Sequence, residues 1–320
     1  MTTARTVPVT TEMDGDELDA EDAWHLVRRH GVGRVLVESF VRFRYGDGFT
    51  NSRALALQTC LAVVPFMLAV TGLAADIDDD RLAKVVADTV NAIAPGQGSN
   101  DALAAAADGS EASGEIALAF GLVFALASMT TAMAQVERGT NRIYGIRRDR
   151  PALSKYGRAA VFTAVLAGPV GIGFMLLVGG GAFGDAMVSE GVWSETTEDW
   201  WDWLRWPSGV VLLVFAIAVL LDHSPRRRQP ALSWLALGAV IAVLLSMVAT
   251  GGLAAYVTAS ASFSSTYGPL AGVFVLLLWS LLSAMAFFYG AAVCAQLEAV
   301  RAHEPEPAYD DPGRPEEEVV

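Results

Sequence analysis

Charged side chains are scarce in this sequence, at 18% of 320 residues, while 53% of the residues are hydrophobic. A soluble domain of this size needs more polar surface to meet water, so the composition excludes an ordinary globular domain and points to lipid as the main solvent. Cysteine is nearly absent. Cys60 and Cys294 both lie in apolar runs, where a reduced thiol packs as a small group, so neither a disulfide nor a metal site is predicted. No signal peptide is expected, because residues 1–22 are acidic and polar and the first apolar run starts only at Ala54, and that run is expected to stay as an anchor. The net charge of −13 carries little information by itself, because a chain divided between two compartments must be counted loop by loop.

What is present in quantity is long apolar runs. A hydrocarbon core about 30 Å thick needs roughly 20 apolar residues at a rise of about 1.5 Å. Residues 54–75, 116–136 and 159–184 meet that length. Residues 206–221 are shorter, but Pro207 suits a first helical turn, and Trp200, Trp201, Trp203 and Trp206 suit a headgroup interface. Between Arg228 and Glu298 lie 69 residues without a charge or a histidine, which as one helix would be about 100 Å long. That stretch is expected to cross twice, over 231–257 and 268–297, broken at the polar run 258–267 and restarted by Gly268-Pro269. The expected fold is all-α: an integral membrane bundle of six transmembrane helices within 46–302.

Arginine and lysine orient the bundle. The segment before the first span, the loop after the second, the Arg226 to Arg228 triplet and the two ends hold 19 of the 22 basic residues. The positive-inside bias then places both termini in the cytoplasm, and the triplet would be stranded outside if 206–221 failed to cross. Residues 1–20 and 303–320 have few large apolar groups and are expected to be disordered tails. Over 21–45, Trp24, Val27, Gly31, Val35, Phe40 and Phe43 recur at roughly helical spacing opposite arginines, predicting a juxtamembrane amphipathic helix on the inner leaflet. The outer loop 76–115 is expected to hold two short helices.

Several stretches resemble the YihY/virulence factor BrkB family of bacterial inner-membrane proteins, over roughly residues 25–300. They are Val63-Val64-Pro65-Phe66 in the first span, Asn141-Arg142-Ile143-Tyr144-Gly145-Ile146 after the second, and Thr266-Tyr267-Gly268-Pro269-Leu270-Ala271-Gly272 leading into the last. The resemblance implies six membrane helices in one bundle and a plasma-membrane location. It implies no fixed activity: members have carried a ribonuclease BN label, a suggested transporter role and a link to serum resistance. It marks Pro65, Asn141, Arg142, Tyr144, Gly145, Tyr267 and Gly268 as candidate functional residues. The chain departs from the family pattern at Leu57-Gln58, where aromatics are usual, and at Gly290-Ala291-Ala292-Val293-Cys294, which lacks an acidic residue.

The residues themselves predict no enzyme and no cofactor. A two-metal nuclease needs converging carboxylates or histidines, and a hydrolase needs a nucleophile with a base in reach. Here His25, His30, His223 and His303 are scattered without ligand spacing, and the carboxylates fall mostly in tails and outer loops. No nucleic-acid partner is expected. The expected partners are the lipid bilayer and an unidentified small-molecule or lipid substrate, with the oligomeric state open. Gln58 is the largest polar group of the first span. Gly168-Pro169, mid-way along the third, removes a backbone hydrogen bond where a permease could unwind. The Asn141 to Ile146 segment reads as either a gate or a basic turn. These features leave two readings: a permease or exporter-like protein, or a non-transporting scaffold supporting envelope integrity. A water-accessible opening reaching the midplane near Gln58 and Pro169 would favour the first, and a bundle packed solid throughout the second.

Overall fold

The computed structural model describes residues 5–13, 18–75, 85, 111–259 and 271–310. Among them are eight helices: α1 (Ala20–His30), α2 (Val32–Tyr45), α3 (Gly48–Ala75), α4 (Glu111–Ile143), α5 (Ala152–Ser189), α6 (Glu195–His223), α7 (Leu232–Ala259) and α8 (Ala271–Arg301). Four of them, α5 to α8, are long and apolar enough to cross a membrane. α3 and α4 are 28 and 33 residues long and contain the runs 54–75 and 116–136. The expected outer-loop helices, together with Tyr267 and Gly268, lie outside the described residues.

The six long helices alternate in direction and pack in chain order, each against the next, and α8 closes back onto α3. The result is a closed ring. The α7–α8 contact is the tightest seam, because Gly238 and Gly290 face each other. A Cβ on Gly238 would lie 2.5 Å from the Gly290 carbonyl oxygen and strike the Cys294 sulfur. Small residues at such a seam let two backbones approach in a solvent that offers no hydrophobic drive between helices.

Helix boundaries differ from the sequence expectation in instructive ways. α6 starts eleven residues before the predicted 206, capped by Ser194, whose hydroxyl accepts from the Thr197 amide at 3.3 Å. Pro207 therefore sits inside the helix and not in its first turn. The tryptophans of this stretch divide. Trp193 and Trp201 turn inward against Phe183, with ring centroids 5.3 to 5.6 Å apart, while Trp200, Trp203 and Trp206 stay exposed. α5 runs through Pro169 and then widens into a π turn over Met175–Gly179. Residues 21–45 form two helices and not one, divided at Gly31 with φ 94°. Their apolar side is also shared out: Val27, Val35 and Phe43 join the core of the bundle, whereas Trp24 and Phe40 remain exposed.

The two tails, expected to be disordered, hold each other in place wherever they are described. Arg5–Thr6 (β1) pairs antiparallel with Tyr309–Asp310 (β2). The Thr10 amide donates to the Tyr144 carbonyl at 3.1 Å, and Val7, Thr10 and Leu18 are buried. Composition alone misses this because neither segment has a core of its own; each is ordered by the surface it covers.

Candidate functional site: a buried charge network at the arginine-rich end

The terminal strands β1 and β2, the α4–α5 turn, the α6–α7 turn and the end of α8 meet at one end of the ring. There α8 is enclosed on every side, with residues 291–299 all buried. Sealed among them are groups that apolar packing alone would not tolerate: Arg42, Tyr144, Gln296 and Glu298 are each at most 1% exposed.

Glu298 is the hub. One carboxylate oxygen receives Arg227 Nη2 at 2.7 Å, and the other receives the Tyr144 hydroxyl at 3.1 Å. The Arg227 guanidinium also lies over the Tyr144 ring, 4.7 Å from its centroid. Arg42 approaches from α2. Its Nε donates to Gln296 Oε1 at 3.1 Å, and its Nη1 donates to Thr10 Oγ1 at 2.6 Å and to the Ile143 carbonyl at 3.3 Å. Burial lowers the Arg42 pKa to about 10, opposed by Tyr144 and Glu298, and burial raises that of Tyr144 well above its usual value. Gln296 passes the chain onward, donating to Glu38 Oε2 at 3.1 Å and to the Pro305 carbonyl at 2.7 Å. Glu38 in turn accepts from Arg34 at 2.8 Å and meets His30 at 2.9 Å.

The Asn141 to Ile146 stretch belongs to this network. Its first three residues complete the last turn of α4, and Tyr144-Gly145 make the turn that leaves it. Asn141 bridges two loops: its Nδ2 donates to Asp149 at 3.1 Å and its Oδ1 accepts the Arg226 amide at 2.7 Å. Arg142 caps the turn outside by donating to the Arg147 carbonyl at 3.1 Å. Gly145 has φ 78°, and a Cβ there would run into the Pro8 carbonyl and lie 2.7 Å from the Val9 nitrogen. Only glycine lets the N-terminal strap cross at that point. Glu137, nearby, pairs with Arg150 at 3.0 Å, and Arg150 also donates to the Ser224 and Pro225 carbonyls.

The other candidate residues are elsewhere. Gln58 lies part-way along α3, its Oε1 buried without a partner among the described residues. Pro65 falls within α3, and Gly168-Pro169 within α5, where Gly168 is exposed with no atom within 4 Å of an added Cβ. None of these joins the network. The arginine-rich end thus collects Asn141, Tyr144 and Gly145 with Gln296, a polar group of the last apolar run, and with residues that pattern reading passed over as functional: Arg42, Arg227 and Glu298. One signal was available for the carboxylate. Ala291, Cys294 and Glu298 share a helical stripe, so an acidic residue continues an otherwise apolar face.

A second constellation lies deeper in the ring. Trp279 on α8 meets Phe174 on α5 edge-on, with centroids 5.7 Å apart, and its Nε1 donates to Thr250 Oγ1 on α7 at 3.1 Å. α5 and α8 are opposite members of the ring, so this pair crosses its interior. Phe174 directly precedes the π turn.

An all-helical bundle of apolar helices sealed at one end by interlocked loops is a membrane-protein architecture. The virulence factor BrkB family model matches residues 39–313, and the chain belongs to that family. Among similar proteins is YfkH of Bacillus subtilis, named as ribonuclease-like, 24% identical over 82% of this chain and 94% of its own length. A UPF0761 membrane protein of Alteromonas mediterranea is 32% identical over 56% of this chain and 58% of its own length. Another, from Stenotrophomonas maltophilia, is 26% identical over 89% of this chain and 66% of its own length. The chain thus spans less than two thirds of these two membrane proteins while nearly matching YfkH in extent. No solved structure matches it.

Proposed function

We propose that the chain is a six-span bacterial plasma-membrane protein with both termini cytoplasmic, and that it acts as a permease or exporter-like transporter of an unidentified small-molecule or lipid substrate, without enzymatic chemistry. In this reading the arginine-rich end is the cytoplasmic end, α3 and α4 are the first two spans, and α1 and α2 form a collar at the inner leaflet. The density of arginine at that end supports the orientation.

The observation that carries transport is a difference in packing along the ring. From Val248 to the end of α7 only Leu253 is buried. On α8 the first buried residue is Ser280, and over 122–127 of α4 only Ala125 is buried. A helix in a solid bundle buries one face even when its other face meets lipid. Exposure of most side chains over 248–259 and 122–127, with the start of α8 only partly buried, fits helices that border an opening on both sides. Such an opening, wide towards the outside, narrowed by Phe174 and Trp279 and shut by the network below, is the arrangement of an outward-facing carrier. The scaffold reading draws on the seal itself, since a permanently locked end passes nothing.

The orientation and the opening are tested together by single cysteines in a background of Cys60→Ser and Cys294→Ala. In spheroplasts, Ser194→Cys should react with a membrane-impermeant thiol reagent and Ser224→Cys should not. Thr250→Cys, beside Trp279, should react at a rate within about tenfold of Ser194→Cys. An unreactive Thr250→Cys in a correctly inserted protein removes the opening and with it the case for transport.

A further inference from the structure

Beside the buried network, between the start of α5, the end of α6 and the α6–α7 turn, lies an open cleft of about 360 Å³. That is the size of a small-ligand site. Arg150, Arg158, Arg227 and Arg228 all line it, with His223 and Gln229; among the described residues Asp222 is the only acidic member of the lining and is paired with His223 at 2.9 Å. Two of the four arginines are already committed, Arg150 to Glu137 and Arg227 to Glu298.

The other two are not. Among the described residues neither Arg158 nor Arg228 has a carboxylate within ion-pair reach; Arg158 only donates to the His223 carbonyl at 3.4 Å and lies over the Phe162 ring. Deeper in, Arg227 has a side chain only 3% exposed, and its Nη1 has no hydrogen-bond partner among the described residues. The side-chain amide of Gln229 is likewise unpartnered at both its nitrogen and its oxygen. Buried donors left unsatisfied beside a concave surface with two free guanidinium groups form an incomplete site, and what completes it is an anion rich in acceptor oxygens.

We infer that this cleft binds a phosphate group, held by Arg158 and Arg228 at the rim and by Arg227 and Gln229 beneath. Arginine is suited to the task because its planar fork matches phosphate geometry in pairs of hydrogen bonds. The site is separate from the opening between the helices and stands whether or not the bundle transports. Two sources could supply the group: the headgroup of an anionic phospholipid, since the cleft opens at the arginine-rich end, or a soluble phosphate compound.

The test uses the full chain in nanodiscs. In phosphatidylcholine discs the probe is inorganic pyrophosphate, followed by calorimetry and the thermal midpoint. In the second arm the discs contain phosphatidylglycerol, and co-purified lipid is counted by native mass spectrometry after detergent exchange. Wild type should bind one of the two probes, and the arm that responds identifies the source. Arg158→Gln with Arg228→Gln should weaken that binding about tenfold or more. The single Arg228→Gln, at an exposed side chain without a partner, should fold normally and weaken it partly. Arg148→Gln, an exposed arginine outside the cleft, should bind as wild type does. The site is overturned if neither probe binds, if the double variant binds like wild type, or if Arg148→Gln costs as much as the cleft variants.

Discussion

The two ends of the ring are built on opposite principles. At the arginine-rich end, α8 is buried on all sides, the loops are cross-linked by ion pairs, and the terminal strands are paired across the surface. Along the other half, most side chains of α4 over 122–127 and of α7 over 248–259 are exposed, and α8 is only partly buried before Ser280. Burial and charge pairing are thus concentrated at one end of the bundle axis. A closed, polar-locked end can anchor six helices while their far halves rearrange, because local opening is easiest where few apolar contacts are lost.

Removal of the hub should collapse the difference between the two ends. Glu298→Ala leaves Arg227 buried without its carboxylate and Tyr144 without its acceptor, and breaking a buried pair on one side costs about 3–5 kcal/mol. The thermal midpoint in detergent should fall steeply, with protease sensitivity appearing first at the terminal strands. Val248→Ala, at an exposed position of α7, should stay within about 0.5 kcal/mol of wild type. Equal effects at the two positions would erase the distinction between the ends.

A smaller loss is expected at the α7–α8 seam. Gly238→Val must push α8 away from α7, and overpacking of this kind costs about 1–3 kcal/mol. Because the seam leads directly into the buried stretch of α8, the variant should lower the midpoint and expose Cys294 to thiol reagents. A variant with normal stability and an unreactive Cys294 would show that the helices do not cross there.

A milder response is expected from pH at the edge of the network. Burial raises the Glu38 pKa, but hydrogen bonds from Arg34 and His30, the charge of His30 and the Gln296 amide together bring it below its ordinary value. A carboxylate held low in the folded state stabilises above its unfolded pKa, and that contribution is lost as the pH falls through the depressed value. Glu38 holds Gln296, and Gln296 holds Pro305. The hydrogen-exchange protection factor at 303–310, measured against the intrinsic rate at each pH, should therefore fall on going from pH 7 to pH 3 while the middle of α8 stays protected. Glu38→Gln should show low protection there at both pH values. A protection factor at 303–310 that ignores both the acid and the substitution would detach the strap from the network.

Much of the architecture was legible along the chain because a bilayer imposes a simple rule: about 20 apolar residues for each crossing. The runs over 159–184, 206–221 and 231–257, and residues 271–297 of the last run, each fall on a helix long and apolar enough to span, while 260–270, with most of the expected polar break and the restart at Gly268, lie outside the described residues. The stretches Asn141 to Ile146 and Thr266 to Gly272 were enough to point to the family. Other features had no local signature. Arg42 reads as one more surface arginine until α2, α8 and the N-terminal strap close over it, and Glu298 reads as the first charge after a span until Arg227 arrives from 71 residues away. The tails look unfoldable because each can bury its few apolar groups only against the other parts of the chain. The sequence by itself determined which segments prefer lipid and which end of the bundle carries arginine, since both depend on local composition. Which charges are sealed inside, which helices touch, and which arginines remain free to hold an anion were decided by tertiary structure, because each depends on partners brought together from distant parts of the chain.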